Sequence, residues 1–285
     1  MIRVRIFTSF GTEKGAIDVY SRVLSIINIS EYGTSIVFVD DDSYTHAVLL
    51  NTAMPSLTCP KENVLGLAFE PNAFLNLTYD FLFYANKYIG KYYVGSKESY
   101  LKDPFIEHHG FMWHCPFPKT IQPKNKTMSI IFSHKQFAPG HKYRSLLVSA
   151  ILMKGLAIDI YGNGCELLKT NGNDSRIKGK FTDSEPYDGY MYSIAIENYS
   201  LPGYYSEKYL NCLMYETTPI YLGCPNVEND YPDHTIFLSG KLKEDLEMIK
   251  SILESPEKYR KQIDRYNVIE KHNLIKHLLD LWYKK

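Results

Sequence analysis

Between Ala195 and Gly223 the chain reads AIENYSLPGYYSEKYLNCLMYETTPIYLG, and it concentrates residues able to do chemistry. Asn198, Tyr204, Ser206, Glu207 and Lys208 fall in one short stretch, just ahead of a helical pattern. Ser206 is a good N-cap, which puts Glu207 and Lys208 in the first turn of the next helix. The N–H groups and positive potential at that end suit an anion such as a diphosphate. A lysine there is electrostatically misplaced, and an anionic ligand removes the conflict. Glu207, an acceptor when ionised, suits ribose or sugar hydroxyls, and Asn198 and Tyr204 add hydrogen-bonding capacity. A capped helix with an exposed ion pair is the bland alternative.

The surrounding elements must position these groups. IRVRIF, TSIVFVDD, THAVLLN and NVLGLAFE read as strands in the first half, with a helix after FGTEKG. After FPKTIQPKNKT (residues 117 to 127), taken as a linker, the pattern restarts. MSIIFSH, LAIDIYGNG, YSIAIEN and TPIYLG read as strands, and HKYRSLLVSAILMKG and SEKYLNCLMYE as helices. KLKEDLEMIKSIL, SPEKYRKQIDRYN and NLIKHLLDLWYKK read as three further amphipathic helices. Alternating strands and helices predict an α/β architecture with mostly parallel sheets, whose ligands gather at the carboxyl ends of strands.

Glu197-Asn198, Tyr204, Ser206-Glu207-Lys208 and TPIYLG keep the order and spacing of a known motif. They resemble the donor-binding motif of the α-1,3/4-fucosyltransferases (glycosyltransferase family 10), roughly F-E-N-S, a gap, D/G-Y-V-T-E-K, a helix and V/I-P-V/I-Y-x-G. AIDIYGNG is similar to the family's D-x-Y-G turn, at Tyr161 and Gly162, and SPEKYRKQ also fits. The resemblance covers about residues 128 to 265. It implies a GT-B-like α/β fold, two Rossmann-like domains facing a cleft. Their expected bounds are 1–124 for an acceptor-side domain and 125–267 for a nucleotide-sugar domain, with 268–285 a helix packing back on the first. Asn198, Tyr204, Ser206, Glu207 and Lys208 would hold the donor, typically GDP-fucose, with Ser133, Tyr161 and Gly162 nearby. The family's arginine near the start of the helix after SIIFSH falls at His141 or Arg144, and the permanent charge favours Arg144. His134 and Lys135 are further candidates. Ile196, Tyr199 and Ser206 depart from the family's Phe, Ser and Thr, next to the donor sugar.

An inverting transfer needs a base for the acceptor hydroxyl. Glu70, at the end of NVLGLAFE and before Pro71, is the candidate in the first half. FIEHHGFMWHCPFP offers Trp113 and His114 as acceptor-side residues, with Glu107 nearby, while adjacent His108 and His109 are a poor ligand pair for a metal. Asp40, Asp41 and Asp42 after a strand support an alternative, a metal-dependent transferase acting on another nucleotide sugar. A non-catalytic glycan-binding protein on the same fold is a third reading.

The 285 residues carry 32 basic and 32 acidic side chains, a balance that argues against a broad nucleic-acid footprint. Five cysteines at wide spacing, without a CxxC, argue against a disulfide framework or structural zinc site. The start of the chain is too short and too alternating for a signal peptide or anchor. The expectation is a cytoplasmic enzyme, in host cytoplasm if viral. It would have a nucleotide-sugar donor and a glycan or glycoconjugate acceptor, with no stable membrane insertion and no required cofactor. A divalent metal is not expected, because protein cations would replace it. The 24 tyrosines are read mainly as core and interface filling, with some available to a sugar or nucleotide.

Overall fold

The computed structural model describes residues 1–24, 36–107, 118, 120–168, 173–182, 184–271, 278, 279 and 282. The chain divides into two compact units, Met1–Phe117 with Glu270–Lys285, and Pro118–Ile269.

The first unit holds six parallel strands, β1 (Ile2–Thr8), β2 (Ile36–Phe38), β3 (His46–Leu50), β4 (Val64–Leu67), β5 (Lys91–Val94) and β6 (Phe105–Glu107). Their order is β2-β1-β3-β4-β5-β6. All five residues of β3 are buried, as a strand covered on both faces requires. Val48 and Leu50 point into one core with Val4, Ile6 and Leu65. Ala47 and Leu49 point into the other, with Phe81, Tyr92 and Phe105. Helices α1 (Glu13–Leu24), α2 (Asn72–Leu75) and α3 (Tyr79–Tyr88) belong to this unit. Leu278, Leu279 and Trp282 join the Val4–Ile6 core, and Trp282 meets His46 edge-on.

The second unit holds β7 (Lys126–Ile131), β8 (Asp159–Tyr161), β9 (Ile177–Gly179), β10 (Tyr190–Ile196), β11 (Thr218–Leu222) and β12 (Ile236–Phe237). They are parallel, in the order β12-β11-β10-β7-β8-β9. That is the doubly wound order, and its switch point lies between β7 and β10. Helix α4 (Pro139–Met153) follows β7, α5 (Glu207–Met214) follows β10, and α6 (Leu242–Glu254) follows β12. Leu147, Val148 and Ile151 of α4 and Leu246, Ile249 and Ile252 of α6 cover one face. Among the tyrosines, Tyr209, Tyr221 and Tyr231 are fully buried and packed together. The Tyr209 hydroxyl meets Thr235, and Tyr221 accepts from the N–H of Cys224, so both polar tips are satisfied.

Three element boundaries differ from the sequence reading. β4 ends at Leu67, so Glu70 lies in the bend beyond the strand. β7 starts at Lys126, inside the stretch read as linker, because Lys126 already pairs with Tyr190. SPEKYRKQIDRYN is broken into α7 (Pro256–Tyr259) and α8 (Arg265–Lys271). Between them the N–H of Lys261 donates to Thr218 and that of Asp264 to His234, drawing the backbone out of the helical ladder.

Candidate functional site

The polar residues of the long motif gather at the carboxyl end of β10. Ser206 is the N-cap of α5, and its hydroxyl accepts from the N–H of Lys208 at 3.3 Å. Lys208 Nζ donates to Glu207 at 3.0 Å and to Ser206 Oγ at 3.1 Å, and lies 3.8 Å from Glu197. The Glu197 side chain is fully buried, that of Lys208 is 19% exposed, and that of Glu207 is 43% exposed. Lys208 is therefore a cation at a helix N-terminus held by two carboxylates, one buried and one open to solvent.

Each charge is shifted for a stated reason. Burial pulls the Lys208 amine down, yet Glu207 and Glu197 outweigh it and hold it above its ordinary value. Burial pushes Glu207 up, but the Lys208 charge and hydrogen bonds bring it below the usual range. Glu197 goes the other way, because burial dominates the pull of Lys208.

The same site receives α4. The N–H of Gly140 donates to the Asn198 carbonyl at 3.0 Å. A Cβ at Gly140 would overlap the carbonyl oxygen of Glu197, so glycine is what admits this contact. One turn on, Arg144 is 4% exposed and donates from Nη2 to the Ile196 carbonyl. Burial lowers its pKa while Glu197 and Glu207 resist, and a guanidinium remains charged under such a shift. His141 accepts at Nδ1 from the N–H of Ala138 at 3.3 Å, capping α4. This fixes the proton on Nε2. Burial, with Arg144, Lys135 and Lys208 nearby, pushes His141 down to about 4. It is neutral at pH 7, which leaves Arg144 as the cation of α4 at this site. The Oδ1 of Asn198 is buried, with no hydrogen-bond partner among the described residues.

Tyr204 is half-buried on the approach to α5, close enough to Arg144 to act on its charge. Ser133 follows β7 by two residues and is half-buried. Gly162 has φ of 129°, and a Cβ there would overlap the Phe132 carbonyl. The Tyr161 hydroxyl meets Tyr190 at 2.8 Å, and Tyr190 in turn donates to Asp159. His134 and Lys135 lie exposed after β7. Sequence reasoning quoted Glu197 but gave it no role. Its signal was a lone acid closing the apolar run SIAI.

In the first unit, Glu70 is half-buried between Phe69 and the buried Pro71 that precedes α2. The N–H of Phe69 donates to Asn51, which orders the turn. Glu107 accepts from the N–H of Lys97 at 2.9 Å. Trp113 and His114, with His108 and His109, lie outside the described residues. Asp42 pairs with Arg5 at 2.7 Å, and Asp41 bonds Ser43 and lies 3.8 Å from Arg3. Both carboxylates are exposed, so these ion pairs are screened by solvent. Among the described residues no three His, Cys, Asp or Glu side chains group as metal ligands. Among them, too, no helix is long and apolar enough to cross a membrane.

The architecture is that of the GT-B glycosyltransferases. An α1,3-fucosyltransferase solved with GDP superposes with a TM-score of 0.55 at 13% identity, covering 100% of this chain and 91% of that one. The structure with GDP-fucose gives 0.54 at 12% identity, over 98% and 90%. A glycosyltransferase from Rickettsia africae ESF-5 gives 0.57 at 10% identity, over 100% and 99%. In sequence, a fucosyltransferase-like protein of Arabidopsis thaliana is 28% identical over 129 residues, 45% of this chain and 23% of that relative. The match thus spans less than a quarter of the relative's length. No family model matches the chain.

Proposed function

We propose that this protein is an inverting glycosyltransferase that moves fucose, or a closely related sugar, from a GDP-sugar to a glycan hydroxyl. The observation that carries the reading is the pair Arg144 and Lys208 beside the β7–β10 switch point. The Arg144 charge acts on Lys208, and Glu197 and Glu207 act on both cations in the opposite sense. A diphosphate suits this end of α5, where two cations and a capped helix N-terminus converge and Glu207 is open enough to turn away from Lys208. The likeness to α1,3-fucosyltransferases in fold and to a fucosyltransferase-like protein in sequence supports the choice of donor.

In this scheme Arg144, Lys208 and the N-terminus of α5 stabilise the diphosphate as its charge grows on departure. Glu207, half-open and ionised, accepts from donor hydroxyls. Asn198 brings a buried amide oxygen beside the His141 ring. Glu70, in the other unit, takes the proton from the acceptor hydroxyl as the anomeric carbon is attacked. Protein cations replace a divalent metal.

Thermal unfolding with GDP, GDP-fucose or UDP, each with and without EDTA, tests the donor. Stabilisation by GDP and GDP-fucose that EDTA leaves unchanged is expected. A ligand at about 100 times its Kd adds about 2.7 kcal/mol. Stabilisation by UDP with manganese alone overturns the reading. The anomeric configuration of the product, read by NMR, tests inversion.

A further inference from the structure

The Glu197 side chain has no exposed surface, and its surroundings form a socket. Its N–H donates to the Leu222 carbonyl, and its own carbonyl abuts Gly140. At Gly223 a Cβ would run into both the Glu197 side chain and the Tyr221 ring. Within this socket one oxygen of Glu197 accepts from the Ser206 N–H and the other from the Ser206 hydroxyl, both at 2.6 Å. The hydroxyl of Ser206 has one proton and two lone pairs. With the proton given to Glu197, both lone pairs are free for Lys208, one for its backbone N–H and one for Nζ. Every hydrogen-bonding position on that oxygen is then used.

We propose that Glu197 is a positioning residue whose acceptor-only carboxylate sets the direction of the Ser206 hydroxyl proton, so that Ser206 both caps α5 and aims the Lys208 ammonium at the diphosphate. This rests on the donor-site reading above. An amide at position 197 cannot do the same. If its NH₂ faces the Ser206 hydroxyl, it takes a lone pair that Lys208 needs. If the amide is turned over, its NH₂ faces the Ser206 N–H, donor against donor.

The burial that defines the socket also separates this role from a merely structural one. Burial holds the Glu197 carboxyl above its ordinary range. A carboxyl raised in the folded state contributes stability that is full below its unfolded value and is lost as pH rises through the raised value, so at higher pH its burial is a net cost. The neutral isostere Gln removes that cost.

The test compares Kd for GDP and for guanosine in wild type, Glu197→Gln, Ser206→Ala and Ser206→Thr, with thermal unfolding at pH 7 for each. Glu197→Gln is expected to fold cooperatively and to bind guanosine unchanged. Its GDP affinity is expected to fall about tenfold or more, the scale of a lost hydrogen bond to a charged group. Ser206→Ala reproduces the loss without touching Glu197, and Ser206→Thr, which keeps the hydroxyl, restores the GDP preference. GDP binding in Glu197→Gln that matches or exceeds wild type overturns the proposal, as does an equal loss for GDP and guanosine. If wild type itself shows no preference for GDP over guanosine, the donor-site reading fails instead. Should Glu197→Gln not fold, the Ser206 pair decides: equal GDP affinity in Ser206→Ala and wild type overturns the relay.

Discussion

The N–H of Gly140 reaches the carbonyl of Asn198 at 3.0 Å, tying the first turn of α4 to the chain just beyond β10. The contact joins the two sides of the switch point through backbone alone. A methyl group at Gly140 would overlap the Glu197 carbonyl, and backbone cannot swing aside as a side chain can. Gly140→Ala is expected to lose about 1–3 kcal/mol or more, as overpacking does. Because the displaced backbone carries Glu197 and Asn198, the GDP-induced rise in melting temperature should shrink with it. Urea unfolding with and without GDP measures both, and a variant with wild-type midpoint counts against so tight a contact.

His141 makes a pH prediction with a definite sign. Its folded-state value is pushed from 6.5 down to about 4, first by burial and then by Arg144, Lys135 and Lys208. Between those values the unfolded chain binds the extra proton, so stability is lost as pH falls from about 6.5 to about 4. The loss is on the order of 3 kcal/mol for a shift of that size. His141→Gln keeps an acceptor for the N–H of Ala138, since Gln serves at this third helical position. The variant should show a flatter decline of stability across that window in urea titrations. An unchanged pH profile would falsify the assignment.

The strand–helix rhythm of the second unit was legible because parallel strands buried on both faces are continuous apolar runs, as in YSIAI and TPIYL. The cap at Ser206 was legible because capping is local. What escaped depends on distant partners. The role of Glu197 exists only because the chain folds back to bring Ser206, nine residues on, against it. The neighbours of Asp41 and Asp42 are likewise non-local: the β1–β2 pairing brings the loop beside Arg3 and Arg5. The break after Tyr259 needed Thr218 and His234, which no local pattern announces. Strand order is equally non-local, so the β7–β10 switch point emerged only with the fold.

Asp245 is fully buried at the start of α6 and accepts from the N–H and hydroxyl of Ser239, from the N–H of Gly240 and from the hydroxyl of Tyr143. The last of these links α6 to α4, and so stabilises the helix that carries Arg144 and His141. Removing the carboxylate leaves these donors without their acceptor; Ser239 and Gly240 are exposed and can turn to water, while the half-buried Tyr143 loses its link to α6. Asp245→Ala is expected to destabilise the second unit by about 1–3 kcal/mol, chiefly through the lost link between α6 and Tyr143. Denaturant titration checks this, and a change under 1 kcal/mol speaks against the network.

Glu70 separates chemistry from binding, because it lies in the first unit while Arg144, Lys208 and the α5 N-terminus lie in the second. Glu70→Gln keeps the size and turn geometry of the side chain but cannot take a proton. If Glu70 is the base, the variant should keep the full GDP-induced thermal shift and lose transfer by about 10²–10⁴-fold, the usual contribution of a positioned base. Lys208→Ala should do the reverse at the binding step, weakening GDP more than guanosine, if the charge it removes faces phosphate as proposed. The two profiles together are diagnostic. Transfer that survives undiminished in Glu70→Gln assigns the base elsewhere. A GDP affinity that falls in Glu70→Gln as far as in Lys208→Ala means that the carboxylate supports the donor and not the acceptor.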